Sequence, residues 1–388
     1  MVERIGIIKL KDNHKLSYVK DVLLIIGIGK YFPLWKELTD MGLSNLENLW
    51  KRTKNDLENR HLILVCNTKP NHLPIKMRGT FNMDTEYFSD EEFDQIVSMF
   101  YSLNIDTDYF TYEDDFIQYV LNTSSNGLLV YNAAQSGEGP GRKSLIPAFC
   151  NLHNIPCTGS NAYVVSLCRH KFHVNQILAH AGVRVPKSWL YSNGWLMGCS
   201  PIIGLKVILK PIYESASIGI NDESVRNYNS LDDEFIHHQE EVQRQPIMVQ
   251  EFIPGYEVEV PILCVKNEVY TFPAVGISVD DKKNLEGEIL NYERIYFDRY
   301  NFYNFSHAEK MIAKNLYLCA MKVAKILGME GLCRVDFRVN EAGQYYVTDV
   351  STNPHFVAHS SVNFAFNEMG LSPTHIAQSI LSAAIENR

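Results

Sequence analysis

Two apolar stretches, residues 331–339 and 344–350, flank the turn-rich linker Asn340-Glu341-Ala342-Gly343 and read as a β-hairpin with charged residues near its far end. Arg334 and Asp336 stand two apart on the first strand, Asp349 lies near the end of the second, and Ser351 and Asn353 follow. Residues two apart share a face of a strand, so pairing gathers two carboxylates and a guanidinium on one surface. That grouping suits a hard cation held between carboxylate and phosphate oxygens. The plainer alternative is a solvated salt-bridge ladder, and spacing taken alone favours it.

The chain has 388 residues, more than one hydrophobic core fills, so two or three domains are expected. Apolar runs at residues 4–10, 61–67 and 127–132 alternate with amphipathic stretches, the pattern of a parallel α/β sheet. Residues 90–103 read as a helix, with Asp90-Glu91-Glu92 at its positive end and Phe93, Ile96, Val97 and Phe100 at helical spacing. No element is assigned between residues 11 and 60. After Ser160 the pattern changes. Residues 165–181 read as one helix ending at Gly182, short strands follow at 206–210, 247–252 and 257–264, and a last helix spans 373–385. These changes divide the chain into residues 1–165, 166–256 and 257–388, an α/β part followed by α+β parts.

Net charge of −9, a pI near 5.8 and no basic stripe argue against nucleic acid as a partner. The strongest apolar run, residues 22–28, is too short to span a bilayer, so no membrane partner is expected. Eight scattered cysteines without a Cys-x-x-Cys pair read as reduced, mostly buried thiols, in keeping with a cytoplasmic location.

Further chemistry sits on the middle strands. Lys210 ends the apolar run Val207-Ile208-Leu209 and is followed by Ser215-Ala216-Ser217-Ile218-Gly219, where small residues let backbone N–H groups approach an anion. Lys171, within the expected helix, adds a second cation, although a lone helical lysine is ordinarily solvated. Glu251 and Glu257 flank the bend Pro254-Gly255, where acceptors can meet an adenine amino group and a ribose diol; glutamates at strand ends are more often solvated. Gly137-Glu138-Gly139-Pro140-Gly141-Arg142-Lys143-Ser144 nearly matches the phosphate-loop motif Gly-x4-Gly-Lys-Ser, but Arg142 replaces the second glycine and Pro140 removes a donor. Gly27-Ile28-Gly29-Lys30 lacks the rest of a dinucleotide fingerprint.

Taken in order, these signals resemble the D-alanine–D-alanine ligase family of the ATP-grasp superfamily, from about Leu145 to Pro354. Ile155-Pro156-Cys157-Thr158-Gly159-Ser160 is similar to the family's Ile-Pro-Tyr-Thr-Gly-Ser, and Lys171 falls where its Asp-Lys helix supplies an ATP lysine. Lys210-Pro211 and Ser217-Ile218-Gly219 resemble its phosphate loop, Glu251 and Glu257 its adenine and ribose contacts, and Gly331-Leu332-Cys333-Arg334-Val335-Asp336 its Gly-x-x-Arg-x-Asp strand. Asn291-Tyr292-Glu293-Arg294-Ile295-Tyr296 is similar to the Asp-Tyr-x-x-Lys-Tyr of its mobile loop, with Ile295 in place of lysine.

The resemblance implies an ATP-grasp fold: a Rossmann-like pre-ATP-grasp domain at 1–165, a central lid at 166–256 and a C-terminal domain at 257–388, with residues 280–304 covering the phosphates. It implies a carboxylate–amine ligase that uses ATP and Mg2+, or Mn2+ in its place, on small amino-acid or peptide substrates, and it admits a homodimer. Catalysis would fall to Arg334, Lys210 and Tyr296, ATP to Lys171, Lys210, Ser217, Glu251 and Glu257, and metal to Asp336, Asp349, Ser351 and Asn353. Departures point away from D-alanine. Gly141-Arg142-Lys143-Ser144 stands for Gly-Glu-Asp-Gly, Lys9-Leu10-Lys11-Asp12 for a glycine-rich turn, and Ala216 for a substrate-loop serine. Arg142 and Lys143 are therefore candidate contacts for a substrate carboxylate. Asp349-Val350-Ser351 in place of Glu-x-Asn leaves a second reading, a catalytically weak ATP-binding protein; a P-loop phosphotransferase is the third.

Overall fold

The computed structural model describes residues 35–69, 77–229, 231–357 and 359–388, with side chains described from residue 43 onward. Two compact units are present, Met1–Asn45 and Leu46–Arg388, and every candidate site residue falls in the second. The expected strand at 4–10, the Lys9–Asp12 departure and the Gly27–Lys30 stretch lie outside the described residues.

Three larger sheets carry the second unit, besides a two-stranded ribbon of Met77–Arg78 and Phe81–Asn82. The first is parallel, with His61–Cys66 between Asp106–Phe110 and Leu128–Ala133. Its central strands are continuous apolar runs because both faces are covered, and Ile63, Val65 and Val130 pack with Phe116 and Ile146. Replacing the fully buried Phe116 by alanine should cost about 3–5 kcal/mol. The expected helix at 90–103 is present as Asp90–Tyr101 and is closed by a capping box: Glu92 N–H donates to Ser89 Oγ at 3.2 Å and Ser89 N–H to the Glu92 carboxylate at 2.7 Å. Val97 is only half-buried and Met99 joins the buried face.

A five-stranded sheet follows, with Ile247–Glu251 between Ser188–Ser192 and Lys206–Pro211. The six-stranded third sheet has the long strand Tyr256–Val265 beside Gly331–Val339, which pairs in turn with Tyr345–Ser351. The hairpin is therefore where the sequence places it. The bend before Tyr256 needs glycine: Gly255 has φ +125°, and a Cβ there would lie 2.1 Å from the Val339 carbonyl oxygen. No sequence signal had marked the 24-residue helix Trp35–Glu58; within the second unit its Trp50 Nε1–H donates to Ser379 Oγ at 3.0 Å and Arg52 to Glu386 at 2.8 Å, both on the C-terminal helix Pro373–Glu386.

Two expectations need correction. Residues 165–181 are two helices, Ala162–Arg169 and Lys171–His180, broken at His170, whose φ of −88° and ψ of 85° are not helical. The break is tertiary in origin, since Lys171 N–H leaves the helix to bond the Ile212 carbonyl at 3.2 Å. Residues 280–304 are not simply loop: they contain the short helix Tyr292–Tyr296 and the strand Asn301–Asn304, which pairs with Val275–Ser278. All eight cysteines are free, and all but Cys157 and Cys199 are buried, as expected. No helix among the described residues is long and apolar enough to cross a membrane.

Candidate active site

Register builds the site. Asp336 lies opposite Asp349 on one side and opposite Glu259 on the other, so three carboxylates line up across three adjacent strands. Arg334 lies opposite Ser351, and an irregularity after Asp336 shifts the pairing of the next residues. Arg334 grips Asp336 with both edges of its fork, Nε to Oδ1 at 2.7 Å and Nη2 to Oδ2 at 2.8 Å, and its Nη1 reaches Glu259 at 3.0 Å. The side chains of Arg334 and Asp336 are 21% and 15% exposed, so the solvated-ladder alternative does not describe them.

Burial sets the charge states. It pushes Glu259 up to about 7 against the pull of Arg334, with the Asp336 charge adding to the rise. It also raises Asp336 above the ordinary carboxylate value despite Arg334. Burial opposes ionisation of Asp349 as well, but the Lys171 and Lys210 charges outweigh it and hold that carboxylate low. Lys171 forms an ion pair with Asp349, an arrangement made by the helix break, since Lys171 is the first residue of the second helix. Desolvation brings Lys210 down to about 8 even though Asp349 stabilises its charge.

The loop after Lys210 is strained. Ala216 and Ser217 have φ of 49° and 51°, unusual for residues with a Cβ, and Ser217 Oγ donates to the Leu290 carbonyl at 2.7 Å. Gly219, at φ +82°, could not carry a Cβ without placing it 2.4 Å from Pro211 Cγ. Glu257 lies 3.6 Å from Arg338, whose Nη2 is anchored on the Glu288 carbonyl at 2.8 Å. A cavity of about 830 Å3 joins these parts. Lys171, Lys210, Ser217, Glu251, Glu257, Tyr296, Arg334, Asp336, Asp349, Ser351, Asn353 and Lys143 all line it; Arg142 alone of the candidates does not.

Arg142 and Lys143 instead belong to a buried ion cluster that sequence reasoning missed. Glu86 accepts from Arg169 at 3.2 and 3.3 Å, from the Ser215 backbone N–H at 2.8 Å, and faces Lys143 at 3.3 Å. Glu214 meets Arg78 and Arg142, each at 3.4 Å, and accepts from Gln245 at 2.8 Å. Burial opposes the Glu86 charge, yet Arg169, Lys143 and Arg142 hold it well below the usual carboxylate range. No local spacing announces Glu86 or Arg169, which are 83 residues apart. Glu259 was findable, standing two residues beyond Glu257 on the same strand face.

A divalent cation fits the hairpin by donor chemistry. Asp336 and Asp349 are hard oxygen donors at opposed positions, and the Asp349 charge adds to the burial that raises Asp336, a repulsion a cation between them would offset. Among the described residues no three His, Cys, Asp or Glu side chains form a ligand set, so further ligands would be Ser351, Asn353 or substrate oxygens, as Mg2+ accepts.

The D-ala D-ala ligase C-terminus family matches residues 176–382. The D-alanine–D-alanine ligase of Trichlorobacter lovleyi is 27% identical over 259 residues, covering 63% of this chain and 74% of that protein. That of Bordetella petrii is 24% identical over 246 residues, covering 63% and 72%. In solved structures, the ligase of Bacillus anthracis complexed with ATP superposes with a TM-score of 0.61 at 14% identity, covering 84% of this chain and 97% of that one. The Coxiella burnetii ligase gives 0.57 at the same identity, covering 84% and 95%. The hairpin, the phosphate loop and the family match agree: the chain has the ATP-grasp fold and belongs to the D-alanine–D-alanine ligase family of ATP-grasp ligases.

Proposed function

We propose that the protein joins a carboxylate to an amine at the cost of ATP, on amino-acid or small peptide substrates other than a simple pair of D-alanines. One carboxylate oxygen attacks the γ-phosphorus of ATP and the bond to the leaving ADP breaks. The amine nitrogen then attacks the acyl carbon, phosphate leaves, and the amine gives up a proton. The observation that carries this reading is the convergence on one cavity of Lys171, Lys210, Arg334, Asp336 and Asp349, separated in sequence but charge-matched in space.

The roles follow from position. Lys171 and Lys210 neutralise phosphate oxygens, the Ser217 loop offers backbone N–H groups, and Glu251 and Glu257 receive the adenine and ribose. Arg334 has donors beyond the three it spends on Asp336 and Glu259, and these face the negative charge that builds on the acyl oxygens. Tyr296, 48% exposed on its short helix, closes over the substrate. Mg2+, or Mn2+, held by Asp336 and Asp349 with Ser351 or Asn353, would supply charge neutralisation at the phosphates. The domain limits 1–165, 166–256 and 257–388 belong to the same reading, supported by the fall of one of the three larger sheets into each but for Tyr256, and so do a cytoplasmic location and a homodimer.

Phosphate release from MgATP across L- and D-amino acids and dipeptides, with mass analysis and Asp349→Ala as control, tests the reading. Release that needs both substrate and Asp349, with a new amide mass, is expected; activity confined to D-alanine pairs would remove the substrate claim. Ser351, a hydroxyl where the family's Glu-x-Asn carries an amide, favours the second reading, nucleotide binding with little catalysis. Saturable ATP binding without turnover on any substrate is the result that reading requires.

A further inference from the structure

Glu86, Lys143, Arg169 and Glu214 line one end of the cavity, and the cluster they form with Arg78 and Arg142 behind that wall holds more positive charge than negative. Four cations, Arg78, Arg142, Lys143 and Arg169, converge on two enclosed carboxylates, Glu86 and Glu214, whose side chains are 4% and 7% exposed. The third acid in reach, Glu138, touches Arg78 at 3.1 Å but is 72% exposed and screened by solvent. Charges withdrawn from water are stable only when matched, and this group is short of anions. A second observation points the same way. Arg169 lines the cavity with its side chain 95% buried, and its Nε is a buried donor without a hydrogen-bond partner. Lys143, also on the cavity wall, is brought down to about 8 by burial, with Arg169 and Arg142 adding like charge against the pull of Glu86. The cations proposed above for the phosphates, Lys171 and Lys210, are a separate pair set against Asp349.

We propose that the substrate carries, besides the group that reacts, a second carboxylate that docks against Lys143 and Arg169. Its substrate class is thus an acidic amino acid, or a peptide ending in one. This rests on the ligase reading but can fail separately. A carboxylate brings acceptors and negative charge to Lys143 and Arg169, and a neutral amide in its place would leave the surplus charge unmet and present N–H donors to donors.

The test compares aspartate and glutamate, in both stereochemical series, with asparagine and glutamine, each alone and paired with alanine, using the full chain and MgATP. The acid should exceed its amide in kcat/KM by on the order of a hundredfold, within the loss expected when a buried charge is left without its counter-charge. Lys143→Met should shrink that acid-to-amide ratio by about tenfold or more, and Lys143→Arg should restore most of it. Amides used as well as acids, or a ratio unmoved by Lys143→Met in a variant that still binds ATP, overturns the proposal while leaving a ligase. If nothing in the panel supports phosphate release, the ligase reading loses its support, and titration calorimetry with glutamate and aspartate in the presence of ADP decides the inference. Saturable binding of the acids, absent for the amides and weakened in Lys143→Met, sustains it; no binding of the acids overturns it.

Discussion

The two ends of the cavity are charged on different terms. At the hairpin, three bases meet three acids: Lys171 and Lys210 face Asp349, and Arg334 is shared between Asp336 and Glu259. At the other end, four cations crowd two carboxylates and one arginine nitrogen is left unmatched. A balanced site offers cations to a triphosphate and carboxylates to its metal. A cation-rich one is completed only by an anion. The hairpin end thus carries the motifs shared with the family, and the cation-rich end carries Arg142 and Lys143, where this chain departs from them.

The sharpest way to break this contrast is at Glu86. Glu86→Gln leaves Arg142, Lys143 and Arg169 with one buried carboxylate, and should cost about 3–5 kcal/mol in urea unfolding near neutral pH. Because the folded-state carboxyl lies well below its ordinary 4.5, its contribution is fully present above that value and is lost as pH falls beneath it. The gap between wild type and variant should therefore close in acid; a gap that persists undiminished there contradicts the pairing. At the hairpin, Arg334→Ala should lower kcat on the order of a hundredfold to a thousandfold with little change in ATP affinity. Equal losses in both would make Arg334 a nucleotide ligand rather than a catalytic residue.

Much of the hairpin end was legible because its chemistry is local. Arg334 and Asp336 share a face by period two, Lys210 ends an apolar strand, and both signals survive without knowledge of the fold. Glu86, Glu214, Arg142 and Arg169 come together from four separate segments, and no spacing rule connects a 3-10 turn at Met83–Glu86 with a helix end at Arg169. The break at His170 was hidden for a related reason. Neither proline nor glycine marks it, and the bond from Lys171 N–H that accompanies it is made to Ile212, just past the distant strand Lys206–Pro211. That same break turns Arg169 toward Glu86 and Lys171 toward Asp349, so one unpredicted kink serves both ends.

Smaller effects refine the contrast. Lys210 sits near 8 in the free protein, so kcat/KM for ATP should fall as pH rises through that value, by up to about tenfold per unit once the lysine is neutral. A flat profile between roughly pH 7 and 9.5 would remove Lys210 from phosphate binding. Ser89→Ala, which deletes the capping box of Asp90–Tyr101, should cost about 1 kcal/mol of stability and leave kcat/KM and the acid-to-amide ratio where they were. A change in either quantity would show that the helix start is coupled to the site.

The central claim is that a substrate carboxylate attacks ATP. Carboxylate labelled with 18O should deliver one labelled oxygen to each phosphate released, because the bond that later breaks is between the acyl carbon and that oxygen. Phosphate that carries no label would show that water, not the carboxylate, takes the phosphoryl group, and would contradict the account.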